Sequence, residues 1–258
     1  MFVFGDSYST KYLDVHTMKY ADPDQMSSTN GLNWVDYFTQ QTRLEAWDLA
    51  YNSAPVSNAL VHQHTSVTDV SQQITQLYAQ YFLDNKNRSS DETFYVIWVG
   101  INDLGLMESN DLDMPLTHIM ERYKDLVDYL LEHHARHFIF INVPPIEVSP
   151  KWKPNAAKKM SDLVHEYNLL LDMMVHQLQH EKDGFFHYVD AWALFDKMLK
   201  SPDAYDFTNT TSYCPDWRRS QEHGCGPVEG YFWLNDLHPT THVHKIFAQQ
   251  LALELGSL

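Results

Sequence analysis

The 258-residue chain carries 18 Lys and Arg against 34 Asp and Glu, a formal net charge of −16. That balance argues against nucleic acid or an anionic membrane surface as its partner and suits neutral or weakly charged substrates. At 44% hydrophobic and 14% aromatic residues the composition is globular; no stretch approaches the roughly 18 apolar residues of a membrane-spanning helix, and the length suits a single domain over residues 1–258.

Apolar runs alternate with helical patterns along the chain, the mark of a parallel sheet with helices on both faces, a three-layer α/β/α sandwich. The first strand, predicted over 2–5, runs straight into Gly5-Asp6-Ser7. Such a break lifts a serine out at the carboxyl edge of a sheet, where open parallel sheets bind ligands. Gly-Asp-Ser is also an ordinary turn sequence, and Ser7 also suits a helix N-cap. A helix over 32–41, a strand over 46–51 and a helix over 67–83 follow. The next strand, 94–100, ends in Gly100-Ile101-Asn102-Asp103. Leu116, Ile119, Tyr123, Leu126, Val127 and Leu130 repeat at three- and four-residue spacing and give a helix over 112–134 one apolar face. Strands over 137–143 and 185–189 and helices over 155–181 and 190–200 complete the alternation. Residues 201–231 have no such period and read as a long ordered loop. The closing helix, 240–255, follows Asn235-Asp236-Leu237-His238-Pro239. There is no repeat, linker or low-complexity tract.

Ser7, Asn102 and His238, each at a strand end or in a loop, supply a nucleophile, an amide donor and a base, the three requirements of acyl transfer. Phe2-Val3-Phe4-Gly5-Asp6-Ser7-Tyr8-Ser9, Asn30-Gly31-Leu32-Asn33-Trp34, Gly100-Ile101-Asn102-Asp103, Asn142-Val143-Pro144-Pro145 and Leu237-His238-Pro239-Thr240-Thr241 occur in this order across nearly the whole chain. In these blocks the chain resembles the GDSL, or SGNH, hydrolase family, and more narrowly its fungal secreted acetylesterases. The resemblance implies a five-stranded sheet of flavodoxin-like order 2-1-3-4-5. It also implies a metal-independent, cofactor-free serine esterase for acetyl esters, chiefly of carbohydrates. Ser7 would be the nucleophile and His238 the base, with the Ser7 and Ser53 backbone amides and the Asn102 side chain around the oxyanion.

Two positions depart from the family pattern. Ser53 stands where a glycine usually offers its amide, an exchange that is harmless unless the position needs φ > 0. More seriously, Asn235 stands where the triad acid is expected, three residues before His238. An Asn can accept the imidazole's hydrogen bond without bringing charge, or present its NH₂ and enforce the wrong tautomer. Asp236 is the neighbouring substitute; a backbone carbonyl could orient the histidine instead; or the site is weakened. A lipase or lysophospholipase for longer acyl chains, and a non-catalytic carbohydrate-binding relative, are the alternatives.

His238 and His242 have the spacing of a helical metal pair, but no third ligand accompanies them, so no metal is expected. His133, His134, His137, His176 and His180 read as solvated helix ends. Trp152, Trp217, Tyr231, Phe232 and Trp233 are candidates either for stacking on sugars or for packing the loop. Cys214 and Cys225, eleven positions apart, would close a loop held by no regular element. Asn87 and Asn209 head glycosylation sequons. With the resemblance, these features predict a secreted, mature-form protein, monomeric and with an oligosaccharide or small-molecule ester as substrate.

Overall fold

The computed structural model describes residues 1–21, 28–84 and 89–256. Its sheet consists of β1 (Phe2–Gly5), β2 (Trp47–Asp48), β3 (Phe94–Trp98), β4 (His137–Ile141) and β5 (Phe185–Val189). Every pairing is parallel and the order is β2-β1-β3-β4-β5, as the resemblance implies. The chain reverses its direction of travel beside β1, so a crevice opens at the carboxyl ends of β1 and β3. The segment after Gly5 and the segment after Trp98 both emerge there.

Covered on both faces, the central strands read as apolar runs rather than alternating ones; Val3, Phe4, Ile97 and Trp98 are all fully buried. One face carries an aromatic ladder across four strands. Phe2, Tyr95, Phe138 and Phe186 are register partners in turn, and neighbouring rings stack at 5.6, 5.5 and 5.5 Å. Such same-face pairs are the unit of sheet stabilisation and fix the register. On the opposite face Trp98 packs against Trp34, Phe195 and Phe247. These rings belong to helices α1 (Trp34–Thr42), α6 (Ala191–Lys200) and α7 (Thr241–Leu255). Helices α2 (residues 70–81), α3 (Ile101–Ser109), α4 (Leu116–Glu132) and α5 (Pro154–Glu181) complete the layers.

The differences from the sequence reading have local causes. Helix α3 lies in a stretch read as irregular, because Asn102, Asp103 and Gly105 interrupt its apolar period. Helix α2 starts at Val70 rather than at 67, where Asp69 and Gln72 form a capping box; its middle, Gln73–Tyr78, is π-helical. Strand β2 is shorter than the expected 46–51. Its ladder nonetheless continues, with Trp47, Leu49 and Tyr51 donating to the carbonyls of Met1, Val3 and Gly5. Leu13–Asp14 and Lys19–Tyr20 form a small antiparallel ribbon too short to show a period. His137 opens β4 instead of ending a helix.

Between residues 201 and 231 the helical segments are 3₁₀ turns, at Pro202–Tyr205, Trp217–His223 and Val228–Gly230, and an isolated β-bridge pairs Asn209 with Tyr231. The Cys214–Cys225 disulfide closes this region, with Cα atoms 5.9 Å apart. Asn87 lies outside the described residues. Asn209 is half-buried in a turn, its amide donating to Ser212 Oγ at 2.9 Å. Among the described residues no helix is long and apolar enough to cross a membrane.

Candidate active site

Gly5 ends β1 with φ 152°, a region that L side chains avoid, and a Cβ there would run into the Trp98 carbonyl. The close approach of β1 to β3 therefore demands glycine. The Gln73 side chain, fully buried at the start of the π-helical turn, clamps this residue. It accepts from the Gly5 N–H at 2.9 Å and donates to the Gly5 carbonyl at 2.8 Å. A π turn inserted into a helix commonly marks a functional site. The next residue, Asp6, accepts from the Tyr8 N–H through Oδ1, and its carbonyl accepts from the amides of Ser9 and Thr10. A tight turn results, with Ser7 at its tip.

The second block holds the turn in place. Asn33 caps α1 and donates to the carbonyls of Ser9 and Thr10; Trp34 Nε1 donates to Ser9 Oγ; Asn30 Oδ1 accepts from the Thr241 N–H at the start of α7. Tyr8, fully buried, donates to the Leu237 carbonyl at 2.8 Å. The serine turn and the histidine loop, more than two hundred residues apart in sequence, are thereby fastened together.

His238 sits on the loop before α7, two residues ahead of its Thr240 cap. Its Nε2 lies 2.7 Å from Ser7 Oγ and its Nδ1 lies 3.1 Å from Asn235 Oδ1. Asn235 Oδ1 also accepts from the backbone N–H groups of Leu237 at 2.9 Å and His238 at 2.7 Å. Those two donors leave no choice about which end of the amide faces inward, since an NH₂ there would meet two N–H groups. The imidazole must then carry its proton on Nδ1, and Nε2 is left as an acceptor for the Ser7 hydroxyl. The wrong-tautomer reading of Asn235 is thus excluded by backbone geometry. Asp236, weighed as a substitute, is exposed and makes no hydrogen bond to the ring; its backbone carbonyl accepts from Lys151 N–H. It acts on His238 only as a nearby charge.

Burial, with no carboxylate against the ring, pushes the His238 pKa down to about 4; Asp236 opposes this and Lys151 adds to it. The imidazole is neutral at neutral pH. Burial raises Asp6 to about 7 and Asp103 to about 8. Asp103 accepts from the Val56 N–H and holds the loop that carries Ser53.

Ser53 adopts φ 63°, so the position does require the left-handed region, and serine occupies it at a strain of about 1 kcal/mol. Neither the Ser7 nor the Ser53 amide has an acceptor among the described residues. Asn102 reaches the same cleft, but its Nδ2 donates to Asp6 Oδ2 and to the Ala54 carbonyl, both at 3.2 Å. One of these long bonds must be exchanged before the side chain can donate to a reacting group.

Ser7, Ser53, Asn102, Asn235 and His238 all line one cleft of about 740 Å³. The disulfide-closed loop forms its far wall through Tyr213, Cys214, Pro215, Trp217 and Arg218, and Lys151 stands at the histidine side. Of the five aromatic candidates, Trp217 alone lines this cleft. Phe232 and Trp233 are buried in the core, where Phe232 meets Phe195 and Phe207; Trp152 and Tyr231 are half-buried outside the cleft lining. Gln73, Tyr8 and Lys151 were not singled out from the sequence as parts of the site. Among the described residues no group of His, Cys, Asp and Glu is placed to hold a metal ion, and His242 Nε2 is taken up by the Tyr205 carbonyl.

Comparison with known proteins bears on the family and the fold. An acetylesterase of Thermothelomyces thermophilus is 26% identical over 98% of this chain and 86% of its own length. A second acetylesterase, from Hypocrea jecorina, is 20% identical over 97% and 86%. The crystal structure of an acetylxylan esterase from Geobacillus stearothermophilus superposes over 99% of this chain and 94% of that one, with a TM-score of 0.51 at 14% identity, a likeness of fold. The profile of the GDSL-like lipase/acylhydrolase family matches residues 1–251. With a serine and a histidine in hydrogen-bond contact at the carboxyl edge of that sheet, the chain belongs to the GDSL-like lipase/acylhydrolase family, a family of carboxylic ester hydrolases.

Proposed function

We propose that the protein is a serine esterase that hydrolyses short-chain esters, chiefly acetates of carbohydrates, through an acyl-enzyme on Ser7. The observation that carries this reading is the 2.7 Å contact between Ser7 Oγ and an acceptor His238 Nε2 at the floor of the cleft. His238 takes the hydroxyl proton as Ser7 attacks the ester carbonyl. The Ser7 and Ser53 amides receive the developing oxyanion, joined by Asn102 once it releases Asp6 or Ala54. The imidazolium, its Nδ1–H held by the Asn235 oxygen, then protonates the leaving alcohol. Water activated by the same histidine releases the acid. No step calls on a metal or a cofactor.

Preference for acetate and for sugar alcohols is supported by the largely polar cleft lining, by Trp217 on its wall and by the two acetylesterase relatives. A long acyl chain needs an apolar trough, whereas the described lining is more polar than apolar. The disulfide supports an extracellular, oxidising location, and a monomer is the simplest state for a cleft complete within one chain. The test is p-nitrophenyl acetate hydrolysis by the wild type and by Ser7→Ala with a chelator present. Turnover lost in the variant supports the reading; equal background rates for both would sink it. A chain-length series with activity peaking at eight or more carbons would sink the acetyl preference.

A further inference from the structure

Among its described residues the cleft carries a charge balance unlike that of the chain as a whole. Acidic residues outnumber basic ones almost two to one along the chain, yet among the described residues the cleft lining holds two cations, Lys151 and Arg218, against one carboxylate, that of Asp236. Both cations are free of ion pairs among the described residues. The neighbouring Arg219 shows the contrast. It is engaged by Asp216 at 2.7 Å and Glu222 at 3.4 Å, whereas Arg218 lies over the Trp217 ring at 4.3 Å. Lys151 lies over Trp152 at 5.2 Å, close enough to His238 to depress its basicity. Stacking orients a guanidinium without neutralising it. The disulfide fixes the wall that carries it: Cys214 lines the cleft and Cys225 closes the turn after Arg218 and Arg219. Both cations are solvent-exposed, so they draw anionic ligands through a field that salt screens.

We infer that the cleft takes esters whose alcohol half carries an anionic group, with the carboxylate of an acidic sugar meeting Arg218 and Lys151 while Trp217 offers the ring a stacking face. This rests on the esterase reading of the same cleft and narrows its substrate class. It also reverses the expectation of neutral substrates drawn from net charge, because that sum says nothing about where the few cations sit.

The test separates binding from turnover. Methyl glucuronoside, methyl glucoside and glucose 6-phosphate are titrated by NMR into Ser7→Ala, alone and combined with Arg218→Gln, Arg218→Lys or Lys151→Gln. At low ionic strength the glucuronoside is expected to bind about tenfold more tightly than the glucoside. That preference should shrink to about twofold or less in ~0.5 M salt, fall in both Gln variants and survive in Arg218→Lys. Equal binding of the charged and neutral sugars, or a preference untouched by salt and by both Gln substitutions, overturns the inference. Binding of glucose 6-phosphate as tightly as the glucuronoside supports a site that reads charge alone; weaker binding supports one fitted to a carboxylate. Because binding is read without turnover, p-nitrophenyl acetate hydrolysis by the wild type reports separately on the esterase reading.

Discussion

Asn235→Asp places a carboxylate against an imidazole that now has only an amide oxygen. In serine proteases the reverse exchange lowers turnover by about 10⁴, chiefly because the amide enforces the wrong imidazole tautomer. That part of the loss is absent here, since the Leu237 and His238 N–H groups already turn the Asn235 oxygen toward Nδ1. What the substitution adds is charge. A carboxylate about 4 Å from the imidazolium centre, at an effective dielectric of about 20, is worth ~4 kcal/mol. Desolvation of the new carboxylate offsets part of this, leaving about 2–3 kcal/mol, or roughly 30- to 160-fold in kcat/KM. The assay is the pH–rate profile for p-nitrophenyl acetate. In the wild type the acid limb is expected at about 4, where burial places the His238 pKa; in the variant a carboxylate partner raises that pKa, so the limb should move to higher pH as the plateau rises. An unchanged plateau with an unmoved limb would refute Asn235 as the orienting partner. A gain of ~10⁴ would show that the amide had been holding the wrong tautomer after all.

Asn102→Ala is expected to lower kcat by about 10²- to 10³-fold with little change in KM, as for a donor that acts in the transition state; single-turnover kinetics would check it. Replacing Cys214 and Cys225 together by alanine removes a short closed loop and should lower stability by about 2–3 kcal/mol in denaturant titrations, with KM rising more than kcat falls because Trp217 and Arg218 lose their fixed wall. Asp103 has a folded pKa raised by burial to about 8, so the unfolded chain releases this proton first as pH rises. Its contribution to stability therefore declines from about pH 4 to about pH 8. The Tm of Asp103→Asn relative to wild type should accordingly climb across that window and level off above it.

The sheet was legible because its strands are buried on both faces and stand out as apolar runs, and the order of the five followed from matched motifs rather than from periodicity. The glycine that ends β1 and the one that caps α3 were legible for a steric reason. Gly5 has a carbonyl, and Gly100 has Tyr167 and Val143, in the space a side chain would need. Helix α3 was hidden because its inward face carries Asp103, buried and hydrogen-bonded to a backbone amide, where a period search seeks an apolar residue. Gln73 was invisible for a similar reason: its role depends on a π turn that lines its amide up with Gly5, and nothing in the residue type announces that turn. The role of Asn235 stayed open in the sequence because residue type carries no information about amide orientation. Only the two backbone donors around it decide that.

The missing triad charge and the cationic wall belong to one electrostatic arrangement. His238 is a weak base because it is buried without a carboxylate, and Lys151 weakens it further. An anionic substrate group seated on Lys151 and Arg218 would cancel the second effect and place a negative charge in the cleft where the imidazolium forms. Substrates of that kind then gain in turnover as well as in binding, whereas a neutral acetate meets the histidine at its least basic. The consequence has a definite sign. The acid limb of kcat, which reports the enzyme–substrate complex, should lie at higher pH for an O-acetylated methyl glucuronoside than for the matching glucoside. In Lys151→Gln the two limbs should draw together, because the cation whose field the substrate cancels is gone. Coincident limbs for the two substrates in the wild type would uncouple the wall from the histidine and leave Asn235 as a plain deficit in charge.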